Sequence, residues 1–140
     1  MKGEIVIQGK DALETWMRSW VDNLRDYSVL AVRGDLGVGK TTLCQALMDA
    51  LGYKGEVTSP TFTLHHTYEG GARRVDHFDL YRIEPDDFSF WRFFDEMLAE
   101  ADLALVEWPE RHPRGMPKGK TVEMRIAFYG QARSYAWETI

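Results

Sequence analysis

The 140-residue sequence predicts an α/β fold: a mixed sheet with parallel central strands and antiparallel edge strands, flanked by helices. Three observations carry this. SVLAVR (28–33) and LALVEW (103–108) are short and almost wholly apolar, as strands buried on both faces must be. Segments with apolar residues at helical spacing alternate with such runs. GDLGVGKTT (34–42) lies between the first apolar run and a helix-like segment, a strand–loop–helix order.

Taken in order, EIVIQ (4–8) reads as a strand. Leu13, Trp16, Met17, Trp20, Val21 and Leu24 recur at steps of three and one, the stripe of an amphipathic helix. After the apolar strand 28–33, Leu43, Ala46, Leu47, Ala50 and Leu51 give the next helix its buried side, and Gly52 is placed to end it. TFTLHHTYE and RRVDHFDLYR, joined across Gly70-Gly71, carry a hairpin signal. Pro85 is suited to the first turn of a helix running through DDFSFWRFFDEMLAEA, with Phe90, Phe94, Met97 and Leu98 on one face and Phe88 and Trp91 partly outside it. So many aromatics predict a helix in segment 86–98 covered on more than one side by its own domain. The strand 103–108 ends in a carboxylate, a Pro/Gly-rich basic loop follows, and TVEMRIAFYG with ARSYAWETI closes the chain as a hairpin turning near Gly130. One domain over 1–140 is expected, with no internal repeat.

Composition bounds the function. Hydrophobic residues make up 44% and aromatics 13%, a globular composition. No signal-peptide core and no run of membrane-spanning length occurs, so a cytoplasmic protein without a membrane role is expected. One cysteine, Cys44, cannot form an internal disulfide and reads as a buried helix residue. A net charge of −5 opposes autonomous nucleic-acid binding. The charge is uneven: Glu84–Glu110 holds nine acidic residues and one basic, whereas Arg111–Arg133 holds six basic residues and one acidic. A solvated face accounts for the basic segment 111–133 more simply than a partner or RNA contact.

The chemistry starts from Gly34, Gly39, Lys40 and Thr41, which fit G-x-x-x-x-G-K-[ST], a phosphate-binding loop. Four fixed positions match by chance in roughly one such chain in 200, so the strand and helix on either side decide the matter. Glycines let the backbone wrap phosphates with successive N–H groups inward, and the helix adds its positive end. Asp35, Leu36, Gly37, Val38, Gly39, Lys40, Thr41 and Thr42 form the expected cradle. Lys40 neutralises the β- and γ-phosphates, and the Thr41 hydroxyl takes a place on Mg²⁺. A carboxylate must then come from a neighbouring strand end. Glu107 and Asp79 are the candidates, and alternation sets His77, Asp79 and Tyr81 on one face. His77, like His65 and His66, reads as structural or surface, since no metal-binding spacing is present. In SPTFTL (59–64), the Thr61 hydroxyl is a candidate to reach metal, phosphate or attacking water, against the plainer reading of a turn feeding a strand. No N-K-x-D reads guanine, and the D-x-x-G at Asp49–Gly52 follows Lys40 too soon to be a switch, so ATP is the expected nucleotide. A small-molecule kinase needs an acceptor site and a lid, neither of which is evident. That kinase, and a nucleotide-gated binding module, stay open as alternatives.

GDLGVGKTT, SPTFTL, HFDLYR and LVEWPE, in this order and at these intervals, resemble the bacterial TsaE (YjeE) family, the small ATPases required for threonylcarbamoyladenosine modification of tRNA. The resemblance implies a P-loop NTPase-like domain with Lys40 on the β- and γ-phosphates, Thr41 and Glu107 at Mg²⁺, Asp79 needed for hydrolysis, Thr61 in the first switch, and Trp108 close to the nucleotide. It implies two partners, TsaB and TsaD, whose transferase assembly ATP hydrolysis would reset, with tRNA met through the complex. Self-association is compatible with it. The chain departs from the family in FSFWRFFDEML, where many members carry a glycine and a tyrosine, and in the tail from Arg111.

Overall fold

The structure, a computed structural model, describes residues 1–61 and 63–140; Phe62 of SPTFTL lies outside the described residues. Seven strands form one sheet: β1 (Lys2–Ile7), β2 (Val29–Arg33), β3 (His65–Tyr68), β4 (Val75–Asp79), β5 (Leu103–Glu107), β6 (Thr121–Tyr129) and β7 (Ala132–Thr139). Their spatial order is β1-β7-β6-β2-β5-β4-β3. The four central strands, β6-β2-β5-β4, run parallel, and β7, β1 and β3 pair antiparallel outside them. This is the expected mixed sheet.

Helices α1 (Lys10–Trp20) and α2 (Lys40–Ala50) cover one face, and α3 (Phe88–Glu100) covers part of the other. Strand alternation sorts the core between them. Leu30 and Val32 of β2, with Leu103 and Leu105 of β5, pack with α1 and α2; Val29, Ala31, Ala104 and Val106 pack with α3. The predicted stripe of α1 is buried at Leu13, Met17 and Trp20, and a short 3-10 turn adds Leu24. Trp16 and Trp20 meet Trp137 of β7 at 5.5 and 5.6 Å between ring centroids. Gly3 makes that cluster possible, because a Cβ there would collide with the Trp137 ring. Gly52, at φ 82, ends α2 as expected, with the Tyr53 amide donating to Met48.

Three expectations for the aromatic segment are corrected. Helix α3 begins at Phe88 rather than at Pro85, because the Asp87 carboxylate caps it by accepting from the Phe90 amide at 3.2 Å. Trp91, placed partly outside the buried face by the sequence, is among the most deeply buried side chains; its indole donates to the Glu84 carbonyl at 3.0 Å. Starting the helix three residues later does not change its period. It is the sheet contact that selects Trp91, Phe94 and Leu98 as the buried stripe. Phe88 and Phe93 are exposed (72% and 44%), so the chain covers this helix on one side, not several.

Three residues of the basic segment are engaged by the chain itself. Arg114 bonds Asp95 at 2.6 Å, Arg125 bonds Glu123 at 3.0 Å, and Arg133 donates to the Val38 carbonyl at 2.9 Å. No helix among the described residues is long and apolar enough to cross a membrane.

Candidate active site

The site forms where β2, β4 and β5 end side by side. In the parallel register Asp79 pairs with Glu107, so two strands deliver carboxylates to the same edge. Both point to the α2 side of the sheet, because Val75, His77 and Asp79 alternate with Phe78, which packs under α3. Strand β2 runs into the 34–39 loop, and Lys40 opens α2. Gly37 and Gly39 hold φ of 77 and 113, and at both an added Cβ would meet nothing within 4 Å. These left-handed glycines turn the loop without filling the space it encloses.

A cavity of about 280 Å³ is lined by Leu36, Gly37, Gly39, Lys40, Thr41, Ser59, Thr61, Asp79, Glu107 and Trp108. Segments far apart in sequence thus meet at one place. Three predicted cradle residues do not line it. Asp35 is exposed, Val38 turns its side chain into the core and donates its amide to the Asp35 carbonyl at 3.1 Å, and Thr42 borders a second hollow. That hollow, about 220 Å³, shares Gly39 with the first and reaches Lys10, Gln131 and Arg133.

Lys40 is 7% exposed and spends two of its three N–H donors on its own loop, at 2.5 Å to the Gly34 carbonyl and 3.2 Å to that of Asp35. Its ammonium stands 4.3 Å from the centre of the Trp108 ring. Burial holds Lys40 below the ordinary lysine range, opposed by Glu107, Asp79, Glu110 and Asp35. Trp108 reaches over it because its backbone is left-handed, φ 58, which aims the ring back across the loop; Tyr81 packs on it at 4.8 Å. Tyr81 lies beyond the end of β4, so the expected strand face of His77, Asp79 and Tyr81 stops at Asp79.

Both oxygens of Asp79 accept. Oδ1 takes the Tyr81 amide at 3.0 Å, and Oδ2 takes the hydroxyls of Thr61 at 3.0 Å and Ser59 at 3.4 Å. Leu64 stands at φ 68, and its carbonyl accepts from the Asp79 amide at 3.1 Å. Glu107 is held beneath: His77 Nε2 lies 2.7 Å from its Oε2 and 3.7 Å from Cys44 Sγ. Burial, reinforced by Glu107 and Asp79, pushes the Cys44 thiol well above its usual range, so it is a neutral thiol.

Sequence reasoning passed over Ser59; it read His77 as structural or surface and Cys44 as a buried helix residue, and both are buried, beside Glu107. Ser59 stands two residues before Thr61 in the same block, a signal that was present. His77 shares the alternating face of Asp79, which also pointed to it. Nothing in the local sequence marked Cys44. Its sulfur, His77 Nε2 and a Glu107 oxygen lie within 4.8 Å of one another, a donor set of the kind a divalent cation takes. However, 2.7 Å is a hydrogen bond, shorter than the roughly 3.3 Å between two ligand atoms on one tetrahedral zinc ion.

The oxygens that converge on the cavity suit Mg²⁺. Thr41 offers a hydroxyl, and Asp79 and Glu107 bring two buried carboxylates; among the described residues lining the cavity the one cation is Lys40.

Comparison with known proteins points one way. The family model "Threonylcarbamoyl adenosine biosynthesis protein TsaE" matches residues 7–135. The tRNA threonylcarbamoyladenosine biosynthesis protein TsaE of Haemophilus influenzae is 35% identical over 104 residues, 74% of this chain and 65% of that protein. Its counterparts from Synechocystis and Aquifex aeolicus are 34% and 37% identical, over 79% and 77% of this chain and 73% and 77% of their own lengths. The crystal structure of Bacillus subtilis YdiB superposes with a TM-score of 0.77 at 21% identity, covering 100% of this chain and 86% of that one, a likeness of fold.

Proposed function

This chain belongs to the TsaE family, and on that premise we propose that it is a Mg²⁺-dependent ATPase that resets or regulates a TsaB–TsaD transferase complex during tRNA modification. The family's part in tRNA threonylcarbamoyladenosine biosynthesis is the ground; hydrolysis and partner control are the proposal. One observation carries it: the loop glycines, Lys40, Thr41 and two register-paired strand-end carboxylates line a single cavity.

In this reading, the triphosphate lies along the 34–41 loop and the nucleoside extends toward the hollow at Lys10 and Arg133. Lys40 has one ammonium donor left after its two loop carbonyls, and that donor meets phosphate oxygens. Thr41 and Glu107 would hold Mg²⁺, which when bound would neutralise phosphate charge. Asp79, whose oxygens already accept from three neighbours, positions the attacking water together with the Thr61 hydroxyl. Loop amides and Lys40 stabilise the charge that develops as the γ-phosphoryl leaves. Trp108, with Tyr81 packed on it, walls one side of the cavity against bulk water.

A second reading has one observation in its favour. Ser59 and Thr61 bond Asp79 directly, so these two residues are coupled to what the site holds. A nucleotide-gated binding module could use the same contact without meaningful turnover. The deciding experiment measures Mg²⁺-dependent ATP turnover by the pure protein, alone and with TsaB–TsaD. Slow turnover that rises with the partners is expected. Turnover unchanged by the partners would refute the regulatory role, and partner affinity that differs between ATP and ADP without turnover would establish the gated module.

A further inference from the structure

His77 is wholly buried, yet its ring is not packed as an inert core group. Its Nε2 lies 2.7 Å from Glu107 Oε2 and 3.7 Å from Cys44 Sγ. Its Nδ1 is buried with no hydrogen-bond partner among the described residues. That pattern fixes the tautomer. A proton on Nδ1 would be a buried donor with no acceptor, while Nε2 would face a carboxylate with no proton to give; a proton on Nε2 satisfies the carboxylate and leaves only a lone pair unmet. Cys44 lies one helical turn beyond Lys40 on α2, and both it and the ring are wholly buried, which restricts the ring's movement.

The consequence falls on Glu107. Its side chain is 4% exposed, and a carboxylate there would otherwise rotate between Lys40, His77 and the cavity. The imidazole N–H occupies one lone pair of Oε2 and fixes the rotation of the carboxylate, leaving Oε1 free of that bond to meet a cation in the cavity, directly or through water. We propose that His77 is a positioning residue for the metal carboxylate, presenting Glu107 to the Mg²⁺ of a bound nucleotide in one fixed orientation. This rests on the Mg²⁺-nucleotide reading of the cavity. It also gives the strand pairing a use: His77 lies two residues before Asp79 on β4, so one strand supplies both a site carboxylate and the group that aims its neighbour on β5.

The test compares wild type, His77→Leu and His77→Gln in binding a non-hydrolysable ATP analogue across a Mg²⁺ titration and in excess chelator. Leucine removes the donor at similar bulk; glutamine returns an N–H near the Nε2 position. Loss of a group that orients a metal ligand costs about 10–100-fold in metal affinity. His77→Leu should therefore raise the half-saturating Mg²⁺ at least about tenfold, leave metal-free analogue affinity unchanged, and be largely rescued by His77→Gln. A purely structural histidine would weaken binding with and without metal alike. An unchanged Mg²⁺ requirement in His77→Leu, or a glutamine variant as impaired as the leucine one, overturns the proposal. If wild type itself shows no Mg²⁺ effect, the reading of the cavity fails first and the proposal with it. The wild-type ring gives a measurement that needs no variant. Its ¹⁵N NMR signals should report the Nε2–H tautomer and shift when Mg²⁺ joins the bound analogue. An Nδ1–H tautomer, or no shift, would refute the role even if His77→Leu fails to fold.

Discussion

Trp108 offers a prediction that separates what its ring does from what its backbone does. The residue sits at φ 58, a left-handed conformation that costs an L side chain about 1–2 kcal/mol. The ring recovers this through Lys40, 4.3 Å below it, and Tyr81, 4.8 Å away. A cation–π contact with a largely buried ammonium contributes about 1–2 kcal/mol, and an aromatic pair about 0.5–1.5 kcal/mol. Trp108→Ala loses both contacts and keeps the strained backbone, so it should destabilise by about 2–3 kcal/mol. Trp108→Gly loses the same contacts but sheds the strain. Glycine's extra freedom in the unfolded chain returns about 0.5–1 kcal/mol of that relief. The glycine variant should therefore be the more stable of the two by about 0.5–1 kcal/mol, the reverse of the usual order of these residues. Urea denaturation followed by far-UV circular dichroism reads the difference directly, and both variants should lose nucleotide affinity to the same degree. A glycine variant no more stable than the alanine one would mean the turn after β5 does not impose its handedness, and the account of how Trp108 reaches Lys40 would fall.

Other expectations follow from the same geometry. Lys40→Ala removes a charge-assisted donor from the loop and should weaken ATP binding by about 10–100-fold; calorimetry showing wild-type affinity would count against the site. Glu107→Ala should abolish Mg²⁺-dependent hydrolysis while keeping some nucleotide binding, and wild-type turnover in a coupled phosphate assay would remove its metal role. Asp87→Ala deletes the α3 cap and should cost about 1 kcal/mol in chemical denaturation, with turnover unaffected. Because burial raises the Cys44 thiol well above its ordinary range, the folded protein carries almost no thiolate under mildly alkaline conditions. Alkylation should therefore be slow until urea unfolds the chain, and rapid labelling of the native protein would contradict that burial.

What the sequence by itself determined is what neighbouring residues decide among themselves. The 34–39 loop is six consecutive residues, with left-handed glycines at 37 and 39, and it stands between a strand and a helix, the order the sequence predicted. The buried strands 28–33 and 103–108, the stripe of α1, the stop at Gly52 and both hairpins rest on periodicity and turn chemistry of the same short range. Asp79 and Glu107 could be named from strand-end carboxylates, but that they stand side by side depends on β4 pairing with β5 in one register, set by packing along the whole sheet. The same pairing put His77 under Glu107, and the seating of α2 on the sheet brought Cys44 to both. The start of α3 turned on a single capping carboxylate, and Trp91 rather than Phe88 went inward because the sheet was there to meet it. Apart from that local cap, tertiary structure alone decided these, since each depends on contacts between segments that the chain holds far apart.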